Sequence, residues 1–188
     1  MFDKLYGSER IRGFSDGMFG VIITIMVLDL KAPESSDPHD LLRLWPTFLA
    51  YVLSFMQAAI YWVNHHALFK DAEKVDDRVL WLNLLMLFAL SLMPFATAYM
   101  GNNNASSFPT AVYAFVMLLP ALVFDSLHRA IAHVNPGEAK ATGKAMLKGW
   151  IAMALYVAAI PVAFVSPAVA LLLVFTVAVM YFLPTTYF

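Results

Sequence analysis

GWIAMALYVAAIPVAFVSPAVALLLVFTVAVMYFLPTTYF, residues Gly149 to Phe188, runs for 40 residues without a charge. A helix needs about 20 mainly apolar residues to cross a hydrocarbon core roughly 30 Å thick, so this run holds two crossings. They separate near Ser166-Pro167. Two further runs lie upstream. Val79 to Phe124 has 46 uncharged residues and breaks at Gly101-Asn102-Asn103-Asn104-Ala105-Ser106-Ser107, ahead of Pro109. Leu44 to Phe69 has 26 and holds one crossing. The spacing predicts helices over 45–69, 79–100, 108–131, 149–165 and 167–184.

Composition leads to the same solvent. Of 188 residues, 61% are apolar and 13% charged, against roughly 45–50% and 25% in soluble chains. A soluble domain of this size cannot hide so much apolar surface. The chain therefore reads as an all-α integral membrane protein in which residues 1–188 form a single transmembrane domain. Twelve Lys and Arg against 13 Asp and Glu leave a net charge of −1, which gives no support to nucleic-acid binding. The absence of cysteine excludes disulfides, thiolate metal sites and cysteine nucleophiles.

The segment Gly13 to Leu30 is the short one. Only Gly17 to Leu28, 12 residues, separate Asp16 from Asp29, and at about 1.5 Å per residue these reach roughly 18 Å. Acids at both ends and no small-residue cleavage site make a signal peptide a poor description. Charge counting favours a crossing whose acidic ends are sheltered. With six crossings, Lys4, Arg10, Arg12, Lys70, Lys74, Arg78, Arg129, Lys140, Lys144 and Lys148 share one side. Only Lys31 and Arg43 lie opposite. The positive-inside rule then places both termini in the cytoplasm of a cell-membrane protein.

On a helix beginning near Arg10, the residues Arg10, Phe14, Gly17, Val21, Thr24, Ile25 and Leu28 recur every three or four positions and share a face. This stripe either faces a water-filled cavity or the centre of an assembly, or serves as a packing seam with Gly17 at the close contact. Asp16 near the helix start calls for a donor, for which Arg10, His65 and Asn83 are the candidates.

Arg10-Ile11-Arg12-Gly13-Phe14-Ser15-Asp16 resembles the Arg-x-x-x-Phe-Ser-Asp signature of the transmembrane protein 175 family. The likeness continues through Trp62-x-x-His65 and Leu92-Met93-Pro94-Phe95. The resemblance implies a potassium-selective leak channel assembled as a homotetramer of six-helix chains, the first helix of each lining a central pore. Like the family, this chain has no Thr-Val-Gly-Tyr-Gly filter. The resemblance puts Val21, Ile25 and Leu28 at a hydrophobic constriction and Thr24 there as a lining hydroxyl. Arg10, Phe14, Ser15 and Asp16, with His65 and Asn83, form the signature network. The family commonly has Ile or Leu where this chain has Val21, which leaves the narrowest point at Val21, Ile25 or Leu28. Membrane lipid and the permeant potassium ion are the implied partners, with no cofactor.

Rival chemistries have weaker support. Gly13-Phe14-Ser15-Asp16-Gly17 satisfies the Gly-x-Ser-x-Gly pattern of a nucleophile elbow, yet opens a helix instead of following a strand. His65 and His66 point about 100° apart on a helix, and there is no His-Glu-x-x-His string, so no resident metal is expected. Trp45, Trp62, Trp81 and Trp150 fit an interfacial belt. A small secondary cation transporter is the alternative function, with Pro94, Pro120 and Pro161 as candidate helix breaks around a midplane site; a membrane enzyme is a more distant one.

Overall fold

A computed structural model describes residues 6–70, 72, 74–136 and 143–182. Lys4, Lys140 and the end of the last sequence-predicted helix (183–184) lie outside the described residues.

Helix α1 (Glu9–Leu28) is followed by a short helix α2 (Pro38–Arg43) and by α3 (Trp45–Lys70). Next come α4 (Asp77–Ser91), α5 (Met93–Asn102) and α6 (Ser107–Val134). Then follow α7 (Gly143–Val165) and α8 (Pro167–Phe182). Strands β1 (Tyr6–Gly7) and β2 (Lys74–Val75) pair antiparallel, Tyr6 opposite Val75 and Gly7 opposite Lys74. Among the described residues five helical stretches are long and apolar enough to cross a membrane, with α4 and α5 counted as one; α8 is apolar but has 16 residues.

The first helix begins one residue ahead of the Arg10 start expected from sequence and so reaches well beyond the 12-residue uncharged stretch. It holds 20 residues, about 30 Å at 1.5 Å per residue, because the backbone ladder continues through Asp16 down to Glu9. A charged side chain does not end a helix when it can leave the helix surface to a partner. The predicted helix 79–100 is instead two in line. Pro94, in the first turn of α5, has no N–H to bond one turn back, and the chain tightens at Leu92, whose N–H reaches the Ala89 carbonyl at 3.3 Å. Pro120 and Pro161, by contrast, lie inside unbroken helices.

α6 is the central helix, packed against α4, α5, α7 and α8. Its neighbours close on polar pairs that the apolar runs conceal. Ser54 Oγ lies 3.0 Å from the Tyr113 hydroxyl and 2.7 Å from that of Thr97, which donates to the Met93 carbonyl. Gln57 donates to the Val174 carbonyl (3.1 Å) and accepts from Tyr156 (2.8 Å). No enclosed side-chain polar atom lacks a partner among the described residues, as a medium without water requires. Lys148 is buried and its ammonium reaches the Met180 carbonyl at 3.1 Å, tying the start of α7 to the end of α8.

Both ends of the bundle are pinned. Where α5 meets α3, a Cβ at Gly101 would stand 2.9 Å from the Thr47 Cα, so only glycine permits this approach. At the other end, Asn135 grips the backbone of Lys74, donating to its carbonyl (2.9 Å) and accepting from its N–H (3.2 Å). That holds β2, and through the strand pair the start of α1. On α2, the His39 backbone N–H bonds the N-cap Asp37 at 2.9 Å and holds its carboxyl below the usual carboxylate range.

Candidate functional site

α1 packs on α3, α4 and α5 through one face only. Ile11, Ser15, Phe19, Ile22 and Met26 are buried there, at the three- and four-residue spacing of a helical stripe. The opposite face has no partner among the described residues. Val21 is 52% exposed, Ile25 44% and Leu28 75%, and Thr24, Phe14 and Arg10 are exposed beside them. At 100° per residue, Val21, Ile25 and Leu28 fall within about 60° of one another. A Cβ at Gly13, Gly17 or Gly20 would meet nothing within 4 Å. Among the described residues Gly17 is therefore not a close-contact position, and the stripe is no packing seam between them.

The Thr24 hydroxyl donates to the Val21 carbonyl at 2.9 Å. Its proton thus points back into the helix and the oxygen lone pairs point outward, which suits an acceptor or a cation ligand.

Behind this face sits a buried polar knot. His65 Nε2 lies 2.8 Å from Asn83 Oδ1, and the Asn83 amide nitrogen donates to Ser15 Oγ at 3.0 Å. An amide oxygen only accepts, so the imidazole carries its proton on Nε2. Phe19 meets the His65 ring edge-on at 5.7 Å between centroids, and Phe69 lies 4.5 Å away on the same helix as His65. Ser15, His65 and Asn83 thereby join α1, α3 and α4. Ser15 is fully buried and bonded to Asn83, on a helix, so it offers no accessible nucleophile.

Asp16 finds a different donor from the three expected. The Trp62 indole N–H reaches Asp16 Oδ1 at 2.9 Å, and His66 stacks obliquely against that indole at 5.8 Å. Trp62 is accordingly an Asp16 ligand as well as an aromatic at the helix edge. The signal is present in sequence: Trp62 precedes His65 by one turn, so the two project toward α1 from one side of α3. His65 is buried while His66 is exposed, which separates the two rings. Arg10 makes no ion pair among the described residues, and Asp125 is paired with Arg129 at 2.7 Å.

Residues 10–94 match the family described as "Endosomal/lysosomal potassium channel TMEM175". A potassium channel of a Chryseobacterium species is 39% identical over 178 residues, covering 93% of this chain and 92% of the relative. A potassium channel of Streptomyces collinus is 41% identical over 128 residues, 64% of this chain and 62% of the relative. The endosomal/lysosomal proton channel TMEM175 of Rattus norvegicus is 28% identical over 120 residues, and only 24% of its length is covered. Among solved structures, the crystal structure of a lysosomal potassium-selective channel TMEM175 homolog from Chamaesiphon minutus superposes with a TM-score of 0.81 at 28% identity, covering 95% of this chain and 97% of that one. With a relative this similar along nearly the whole of both chains, and a shared fold, the chain belongs to the TMEM175 family.

Proposed function

We propose that four copies of this chain, each a single domain with six crossings, surround a central axis as a potassium-conducting leak channel of the cell membrane. The observation that carries the proposal is the outer face of α1, where Val21, Thr24, Ile25 and Leu28 stand exposed on a helix whose other face is buried. Around a four-fold axis, each of these positions becomes a ring. The Val21, Ile25 and Leu28 rings form an apolar neck that an ion crosses only by shedding water without a replacement ligand, so the neck sets the conductance. The Thr24 ring presents four outward oxygens, the polar surface within that neck. Asp29, at the C-cap of α1, gathers an acidic ring at one end of the neck that favours cations over anions. Of the signature residues, Ser15, Asp16, His65 and Asn83 act as the support that fixes the helix against its own chain, whereas Arg10 and Phe14 stand on its exposed side. The bias of ten basic residues against two supports cytoplasmic termini.

The test is reconstitution into liposomes with potassium and sodium on opposite sides and an impermeant anion. A reversal potential that follows potassium is expected, and Thr24→Ala should move it toward zero with little change in total current. Because the vertebrate relatives bear the name proton channel, a pH gradient at equal salt forms a second arm. Absence of current, or ion flux that occurs only when coupled to a proton gradient, would replace the channel with a carrier.

A further inference from the structure

The start of α1 and the end of α3 line an open hollow of about 460 Å³. Arg10, Arg12 and Lys70 line it, together with Glu9, Gly7 and Ser8. Three cations thus face one acid, and none of these charged side chains forms an ion pair among the described residues. The same space receives the first turn of a 20-residue helix, whose initial N–H groups have no partner one turn back. Ser8 stands at the N-cap position but its side chain caps none of them. Ser8 is only 6% exposed, and its hydroxyl has no hydrogen-bond partner among the described residues. Since no fully enclosed polar side-chain atom is left unpartnered, that hydroxyl opens into the hollow as a spare donor.

We propose that this hollow binds a phosphate group, gripped by Arg10, Arg12 and Lys70 and seated on the Ser8 hydroxyl and the first N–H groups of α1. Two arginines, a lysine and a helix start line one hollow, a donor set that matches an anion with several oxygens better than a halide. The volume leaves space for more than the phosphate itself. Glu9, an acceptor on the same wall, suits hydroxyls attached to that phosphate, as on a glycerol headgroup. The phosphate can come from a lipid headgroup, because the hollow lies at the ends of membrane helices, or from a free anion. Either occupant would clamp the start of α1 to the end of α3. The inference does not depend on where the pore lies.

The experiment uses the purified full chain in non-ionic detergent. Phosphatidylglycerol and phosphatidylcholine adducts are counted by native mass spectrometry, and inorganic phosphate is titrated by phosphorus NMR line width. Arg12→Gln combined with Lys70→Gln should weaken phosphatidylglycerol retention roughly tenfold or more, with phosphatidylcholine unaffected. Ser8→Asp places a carboxylate in the hollow while adding negative charge where a helix start tolerates it, so it should abolish binding in a folded chain. Loss of phosphatidylglycerol alone assigns a lipid headgroup, loss of inorganic phosphate alone a free anion, and loss of both a site for the phosphate group from either source. Unchanged binding in both variants would overturn the site. An equal loss in the Lys31→Gln, Arg43→Gln control, whose cations lie beyond the far end of α1, would overturn it too.

Discussion

Asn83 uses both halves of its amide inside the bundle, the oxygen toward His65 and the nitrogen toward Ser15. Truncation to alanine strands an imidazole N–H and removes the donor to Ser15 in a place water does not reach, at a cost of about 1–3 kcal/mol. Trp62 presents the contrast. Its bond to Asp16 lies at an exposed edge, where water replaces the lost donor, so Trp62→Phe should cost less than about 1 kcal/mol. Denaturant titration of the two variants in detergent should rank Asn83→Ala well below Trp62→Phe, and equal losses would mean that Asp16, not the buried knot, anchors α1. A second residue-scale test concerns the turn between α5 and α6. Asn104 and Ala105 both hold left-handed backbone, φ 52° and 49°. Asparagine tolerates that conformation, alanine bears about 1–2 kcal/mol for it, and a β-branched residue bears more. Ala105→Val should therefore lower the melting temperature and Ala105→Gly should not.

At the scale of one helix, α1 sorts its substitutions by face. Ile25 and Leu28 point away from the chain, whereas Ile23 is half-buried and packs against the core. Ile23 and Ile25 stand about 160° apart. If the outer face lines a pore, Ile25→Asn or Leu28→Asn hydrates the neck and raises cation leak. Ile23→Asn should instead reduce folded yield without adding leak. Folded assemblies of both outer variants that conduct no more than the parent would move the pore to another helix. The outer stripe is legible in sequence because helical period alone fixes which residues share a face. Which of the two faces the chain buries is not, since both are apolar. Which donor reaches Asp16 is decided only by packing, since Trp62 is 46 residues away. The Gln57–Tyr156 pair, 99 residues apart, is equally out of reach, because it exists only where α3 and α7 converge. Uncharged runs, in contrast, locate four of the later crossings directly, since exclusion of charge from hydrocarbon acts locally on each segment.

For the whole molecule the open geometric question is α8, whose 16 residues give about 24 Å against a core of about 30 Å. The parity of the crossings sets the side on which the C-terminus lies. If α8 crosses, there are six crossings and the termini share a side; if it lies in the interface, there are five and they do not. Two features favour crossing. α8 buries one face (Ala170, Val174, Val177, Ala178) against its neighbours, while its exposed face (Leu172, Phe175, Val179) is apolar too, so it lacks the polar side of an interfacial helix, and no charge interrupts it. Lys148 at the start of α7 reaches the backbone near the end of α8, so the two helices run antiparallel with the far end of α8 at the level where α7 begins. A bilayer thinned by a few ångströms around the bundle accommodates the shortfall at modest cost. The chain has no cysteine, so single-cysteine probes need no prior removal of native thiols. Cysteines at Ser36, Asn103 and Ser166 should react with an impermeant reagent outside intact cells, while one at Pro136 and a tag appended after Phe188 should be reached only after permeabilisation. Labelling of Ser166 together with an externally accessible C-terminal tag would leave α8 uncrossed and reduce the chain to five crossings. Labelling of Pro136 but not Asn103 would invert the molecule, moving the Glu9 end of α1 and the basic hollow to the outer side.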